Sequence, residues 1–203
     1  MLYHYAGGIF PLGMQHERHL WWSLEPRAVL QTNQVKVNRT LRKVIRRGDY
    51  VVRADTAFDA VVELCRLTRQ TDDGPGSWIT DEYVRVFRTL HRLGHAHSIE
   101  TWRGDQLAGG LFGVAMGQMF YGCSMFRLQP NASKVALVAL ARQLDAWGFP
   151  LVDCQIHNPH LGRMGARLIP RMRFHEVVRS LVRGKRRVGS WADQFQAPGA
   201  ASF

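Results

Sequence analysis

The sequence predicts an α+β or mixed α/β domain built on a single sheet. Three observations point there. Helical and strand patterns follow in the order helix, strand, two helices, three strands, helix, strand, helix, which suits helices packed on a sheet. The run from Gln106 to Phe126 carries no charge and holds glycines at 109, 110, 113, 117 and 122. That spacing fits bulged, closely approaching strands, although the run is also long enough to be tested as a bilayer span. Finally, the hydrophobic share of 46% is enough for a real core, and 203 residues suit one domain with a small appendage.

Residues 1–25 lack a strong period and read as a small N-terminal lobe or an arm packed on the main domain. The main domain is expected over 26–190, with 191–203 as a flexible tail. "VNRTLRKVIRRGDY" reads as a helix capped by Asn38 and ended by Gly48, with Leu41, Val44 and Ile45 inward. A strand follows from Tyr50. "DTAFDAVVELCRLTR" is an amphipathic helix with Asp55 as its cap and Phe58, Val61, Val62 and Cys65 inward. "QTDDGPGS" is the strongest turn signal in the chain. Thr80 caps the next helix, which packs Tyr83, Val84, Phe87 and Leu90 and stops at Gly94. "HSIETWR" and "QLAGGLFGVAMG" form a hairpin through Gly104-Asp105, and "QMFYGCSMF" is a third strand. In it, Gly122-Cys123-Ser124 reads as either a tight turn or the floor of a site. Asn131 caps a helix running to Trp147, "PLVDCQI" is a buried strand, and "FHEVVRSLVRG" is a C-terminal helix.

Lys and Arg number 27 against 16 Asp and Glu, for a net charge of +11 and a pI near 10.4. This points to a polyanionic partner, with nucleic acid first. The three cysteines, Cys65, Cys123 and Cys154, are widely spaced without a CxxC. They suit a reducing cytoplasm and neither a disulfide framework nor a zinc site. The N-terminus has no signal-peptide pattern.

Three constellations could carry chemistry. Between Lys36 and Arg47 stand six basic residues and no acid. Arg39, Arg42, Lys43, Arg46 and Arg47 make a cationic stripe opposite the apolar side of their helix, suited to phosphates. In "DCQ", strand alternation puts Asp153 and Gln155 on one face and Cys154 on the other. The pair reads equally as an acid or base steadied by an amide, or as a structural hydrogen-bonded pair. His91, His95, His97, His157 and His160 lack the companions a metal set needs, so no metal is expected.

The element order resembles, on pattern alone, the GNAT acyltransferase fold that binds acetyl-CoA. Such an enzyme needs a Gly-rich loop before its helix to cradle the pyrophosphate. Here "RLQPNASK" stands in that place, so no CoA is expected.

The motifs "GIFP", "WWS", "PRAVL", "WIT", "GHAHSIETW", "GGLFGVAMG", "SMF", "NASK", "DCQ", "HLGRMGA" and "IPR" occur in this order. With them the chain resembles the bacterial leucyl/phenylalanyl-tRNA–protein transferases over almost its whole length. The resemblance implies a GNAT-like fold without CoA or other cofactor, in which residues 1–25 are a short, truncated N-terminal lobe. It implies transfer of Leu, Phe or Met from aminoacyl-tRNA to the α-amine of a protein with N-terminal Arg or Lys, creating an N-degron. By the same resemblance Asp153 and Gln155 are catalytic. Trp78, Leu111, Cys123, Ser124, Met125, Leu137 and Leu140 line the aminoacyl pocket, and Arg39, Arg42, Lys43, Arg46 and Arg47 hold the tRNA acceptor stem. Two positions depart from the family's pattern: Cys123 replaces a glutamate and Leu12 an aromatic. They motivate a second hypothesis, a diverged non-catalytic tRNA-binding protein. A third, an acyltransferase with a small acyl donor, rests on fold pattern alone.

Overall fold

The computed structural model describes residues 1–15, 18–68 and 78–197. The turn read in "QTDDGPGS" lies outside the described residues. In chain order the elements are α1 (Leu2–Ala6), β1 (Phe10–Gln15), β2 (Arg18–Trp22), β3 (Arg27–Gln31), α2 (Arg39–Arg47), β4 (Val51–Ala54), α3 (Phe58–Leu67) and α4 (Asp81–Arg92). There follow β5 (Ala96–Arg103), β6 (Gln106–Met116), β7 (Met119–Arg127), α5 (Ala132–Ala146), β8 (Leu151–Gln155), α6 (Pro159–Arg163), β9 (Arg167–Ile169) and α7 (Arg171–Leu181). Seven strands form one mixed sheet in the order β4-β5-β6-β7-β8-β3-β9, while β1 and β2 pair as a separate hairpin. The α+β expectation is met.

The sheet divides the core into two layers. On one face Tyr5, Phe10, Phe58, Phe87, Phe112 and Phe174 join α1, α3, α4, α7 and the hairpin. On the other, Leu41 and Val44 of α2 pack with Leu137, Leu140 and Leu144 of α5. The charge-free run is the β6–β7 hairpin, turned by Gly117 at φ +59°. No helix among the described residues is long and apolar enough to cross a membrane. Gly113 is required by contact as well: a Cβ there would lie 2.3 Å from the Tyr121 carbonyl oxygen.

Local signals placed most boundaries. Asn38 accepts from the Leu41 N–H at 2.8 Å, Thr80 from the Tyr83 N–H at 3.3 Å, and Gly48 ends α2 in the left-handed region. Several expectations are corrected. Asn131 sits at the start of α5 in a left-handed conformation without capping it. The strand expected over "QMFYGCSMF" is present, and of the two readings of Gly122-Cys123-Ser124 the tight turn is excluded, since all three lie within β7. Strands β3 and β9, helices α1 and α6, and the β1–β2 hairpin carried too little periodicity to be read.

Asp55 is not the cap of α3, and residues 191–196 are not a loose tail. Asp55, at φ +56°, accepts from His97 Nδ1 at 2.8 Å, the Ser98 N–H at 2.9 Å and the Trp191 N–H at 2.7 Å. Trp191 is fully buried and stacks on His97 with centroids 3.7 Å apart. The Gln196 N–H then donates to Gln143. One carboxylate thus ties two distant segments of the chain to the sheet.

Burial raises the Asp55 carboxyl, but hydrogen bonds from His97, Trp191 and Ser98 and the His97 coupling outweigh it, and the net shift is downward. Burial pushes His97 down, against the opposing effect of Asp55. Both groups bind protons less readily folded than unfolded, so acid destabilises the fold. Stability is expected to fall first below about pH 6.5, as unfolded-state histidines protonate, and again below about pH 4 through Asp55. His97→Gln should flatten the first phase in urea titrations at stepped pH. Trp191→Ala is expected to cost about 3–5 kcal/mol by chemical denaturation; a cost under about 0.5 kcal/mol would mean the segment is not docked.

Candidate active site

The site arises where the sheet comes apart. β7 and β8 run parallel but pair only from Met119 to Tyr121 against Leu151 to Asp153. Beyond that β7 stays with β6, while β8 pairs with β3. No strand covers this side of β7 past Tyr121 among the described residues, leaving main-chain groups along that edge. A bulge lies on each diverging strand. Cys123 is the extra residue between Gly122, opposite Gly113, and Ser124, opposite Phe112. Cys154 is the extra residue between Asp153, opposite Val29, and Gln155, opposite Ala28. Bulges bend a strand and re-aim its side chains.

The gap holds a cavity of about 250 Å³. An apolar cavity of about 150 Å³ already accepts a benzene, so one amino-acid side chain fits with room for part of its backbone. Leu111, Phe120, Met125, Leu137, Leu140 and Leu161 supply the apolar wall; Ser124, Asp153, Gln155 and Asn158 supply the polar side. Leu12 stands at its edge.

Asp153 is fully buried. Arg27, itself 1% exposed, grips it in bidentate fashion: Nε donates to Oδ1 at 2.8 Å and Nη2 to Oδ2 at 2.6 Å. The guanidinium lies 4.4 Å from the ring centroids of both Phe10 and Phe174. Those rings exclude water while offering their negative faces to the cation. Oδ1 also accepts the Gln155 N–H at 2.9 Å. Gln155 holds φ +61°, a conformation that costs a non-glycine residue roughly 1–3 kcal/mol. The carboxylate therefore bends the end of β8 and presents Gln155, rather than standing beside it on a regular strand face. Strand alternation does not hold here, and Asp153, Cys154 and Gln155 all border the cavity.

Cys123 is buried, with its Sγ 3.4 Å from the Tyr5 hydroxyl and 3.7 Å from the Tyr121 carbonyl oxygen. Burial pushes its thiol up to about 12. Cys154 is raised for the same reason, with the Asp153 charge adding to it. Both sulfurs are neutral thiols near pH 7 and poor nucleophiles.

The structure brings Leu111, Cys123, Ser124, Met125, Leu137, Leu140, Asp153 and Gln155 to one cavity. It does not bring Trp78, whose ring packs against Tyr83 and Phe87 on the α4 side. Arg39, Arg42, Lys43, Arg46 and Arg47 are all exposed on α2, and Asp49, just beyond the stripe, takes Arg47. His91 and His97 both face Asp55, at 3.8 and 2.8 Å, and His91 also stacks on Phe58 and bonds the Ala96 carbonyl. Among the described residues no three His, Cys, Asp or Glu side chains gather in a metal-holding group. Sequence reading missed Arg27. The available signal was an arginine opening the apolar run "RAVL", since a charge on a buried strand requires a partner.

The profile of the family described as Leucyl/phenylalanyl-tRNA protein transferase matches residues 29–179. The chain belongs to this family. A leucyl/phenylalanyl-tRNA–protein transferase of Nitrosomonas europaea is 45% identical over 197 residues, covering 96% of this chain and 82% of the relative. One from Thiobacillus denitrificans is 47% identical over 187 residues, covering 92% and 81%. Among solved structures, L-PGS from Bacillus licheniformis aligns with a TM-score of 0.43 at 13% identity over 78% of this chain and 50% of that one. That likeness is too coarse to carry an argument. Family membership makes the protein an aminoacyltransferase, as the ordered motifs imply.

Removing one partner of the Arg27–Asp153 pair leaves a buried charge alone, at a cost of about 3–5 kcal/mol. Asp153→Asn and Arg27→Met are each expected to lose that much in urea denaturation. The double variant Arg27→Met/Asp153→Leu should regain most of the stability but no turnover. Recovery of turnover along with stability would reduce the pair to scaffolding.

Proposed function

We propose that the cavity at the β7–β8 divergence holds the side chain of Leu, Phe or Met carried by aminoacyl-tRNA. We also propose that the Asp153–Gln155 corner serves the transfer of that residue to the N-terminal Arg or Lys of an acceptor protein. The product is an N-degron. The observation that carries the reading is an apolar cavity of one-residue size closing on Gln155, with Asp153 buried directly behind it. On this reading the surrounding domain is GNAT-like, with the meander β5–β6–β7, helix α5 and the parallel strand β8 in sequence.

The chemistry asks little of a base or nucleophile in the protein. The acceptor α-amine attacks an ester carbonyl that is already activated. A tetrahedral intermediate forms, the C–O bond to the tRNA breaks, and the proton lost by the amine ends on the departing 3′ oxygen, leaving an amide and a free 3′ hydroxyl. Position and oxyanion stabilisation dominate such a step. Main-chain groups along the uncovered β7 edge suit the carbonyl oxygen. The Gln155 amide oxygen suits the incoming amine, because Asp153 is committed to Arg27 and to the Gln155 N–H. Asp153 acts through Gln155 by holding its backbone. The apolar wall selects by burial, about 0.8 kcal/mol per CH₂, and rejects β-branched shapes by fit. The exposed cations of α2 take acceptor-stem phosphates, reading shape and charge rather than sequence.

Cys123 and Leu12, both at the cavity, are the residues that favour the non-catalytic alternative. The buried, neutral Cys123 thiol supplies neither charge nor nucleophile at the position where the family resemblance implies a glutamate.

Incubation with charged Phe-tRNA and an Arg- or Lys-initiated acceptor peptide is expected to place label on the acceptor amine. Absence of label under tRNA-saturating conditions would favour the non-catalytic alternative. Cys123→Ala should keep turnover within about threefold of the parent, and the rate should show no thiol ionisation up to about pH 9, well below the raised value. A large loss in Cys123→Ala would give the thiol a direct role.

A further inference from the structure

The basic stretch that follows α7 takes no part in the cavity at the strand divergence. Residues 171–187 hold seven Lys and Arg against one acid, Glu176. Arg173 takes that acid at 3.0 Å, and Arg171 lies 4.0 Å from Glu25. Arg179, Arg183, Lys185 and Arg186 are exposed and form no ion pair among the described residues. Arg187 is fixed differently: its guanidinium lies 4.3 Å from the Trp147 ring centroid and donates to Gln194.

The segment is seated on the sheet. The Gln118 N–H and the Gly184 N–H both donate to the Leu181 carbonyl, at 2.9 and 3.0 Å, and the Gly189 N–H to the Gly94 carbonyl at 3.2 Å. These bonds set the cations across the β6–β7 turn, at the other end of β7 from its uncovered edge. A cavity of about 400 Å³ opens there. Arg183, Arg186, Arg187 and His95 stand around an apolar floor that includes Met116 and Val182, and no acid lines it among the described residues. Tyr3, 87% exposed, stands at its border. Guanidinium groups match phosphate oxygens in geometry. An exposed ring beside them offers a face on which a base can stack.

We propose that the segment Arg183–Arg187, with Tyr3 and His95, is a second RNA-binding surface, which takes backbone phosphates and an unpaired nucleotide of the tRNA body away from its aminoacylated end. The arginines hold the phosphates, while the apolar floor and Tyr3 receive the sugar and base. The α2 stripe lies on the other layer, so the two cationic surfaces engage different parts of one RNA. This inference rests on the aminoacyl-tRNA reading above.

The test compares two RNAs in a salt series: a full-length Phe-accepting tRNA, and a duplex of its acceptor stem with the 3′ single strand. The variant R183Q/K185Q/R186Q should bind the full tRNA more weakly, with the slope of log affinity against log salt reduced by about 3. Its binding of the stem duplex should match the parent. The variant R39Q/K43Q/R46Q should weaken both RNAs. Thermal melts matching the parent exclude misfolding of these exposed-site variants. If only the α2 variant weakens binding, the second surface is refuted and the tRNA reading stands. If neither does, the tRNA reading itself fails. Equal weakening of both RNAs by the Arg183 variant would merge the segment with the stem site and overturn the body contact. Intact RNA binding with lost transfer would assign the segment to the acceptor protein instead, and overturn it equally.

Discussion

The bidentate pair between Arg27 and Asp153 is the contact on which the site depends. It joins the first residue of β3 to the strand that leaves β7, deep in the protein and out of reach of water. A carboxylate buried so completely is tolerable only with a fixed cation and further donors. Phe10 from the N-terminal hairpin and Phe174 from α7 hold the cation in place. The hairpin, the sheet and the C-terminal helix therefore meet at one charge pair. Through the Gln155 N–H the same carboxylate bends β8 at the mouth of the cavity. On the proposed reading stability and chemistry share this contact, so its loss would cost both.

The strand divergence turns that pair into a site. A parallel pair that stops after three residues leaves one edge of β7 without a strand partner, inside the protein rather than at its rim. On the proposed reading a substrate uses those main-chain groups without displacing a strand. The bulges at Cys123 and Cys154 widen the gap and aim their neighbours into it. This accounts for two cysteines beside a site in which neither needs to react.

Much of the fold was legible because its signals are local. The Asn38 and Thr80 caps, the Gly48 stop and the hairpin at Gly104-Asp105 depend on residues within a few positions of each other. The candidate site was legible in part. The spacing of Asp153 and Gln155 drew attention to a corner that borders a cavity, and Leu111, Met125, Leu137 and Leu140 line the same cavity. Trp78 was misplaced because an apolar residue beside a helix cap gives no hint of which layer it joins. Asp55 looked like a cap because it precedes a helix, yet its partners are His97 and Trp191, far along the chain. Arg27 was missed because its value rests on a partner 126 positions away.

By itself the sequence determined the alternation of helices and strands, the glycine-bearing hairpin, the basic balance and, through its ordered motifs, the family. The first three follow from composition and from interactions between near neighbours, and the family from the resemblance that the motifs carry. Only the tertiary structure decided that β8 runs beside β7 for three residues and then departs. It likewise decided that Asp153 is committed to Arg27 and that Trp191 is docked. Each of these is a pairing of residues distant in the chain. Such a pairing is chosen by the burial of charge and ring surface in the folded whole, and no short stretch of sequence encodes it.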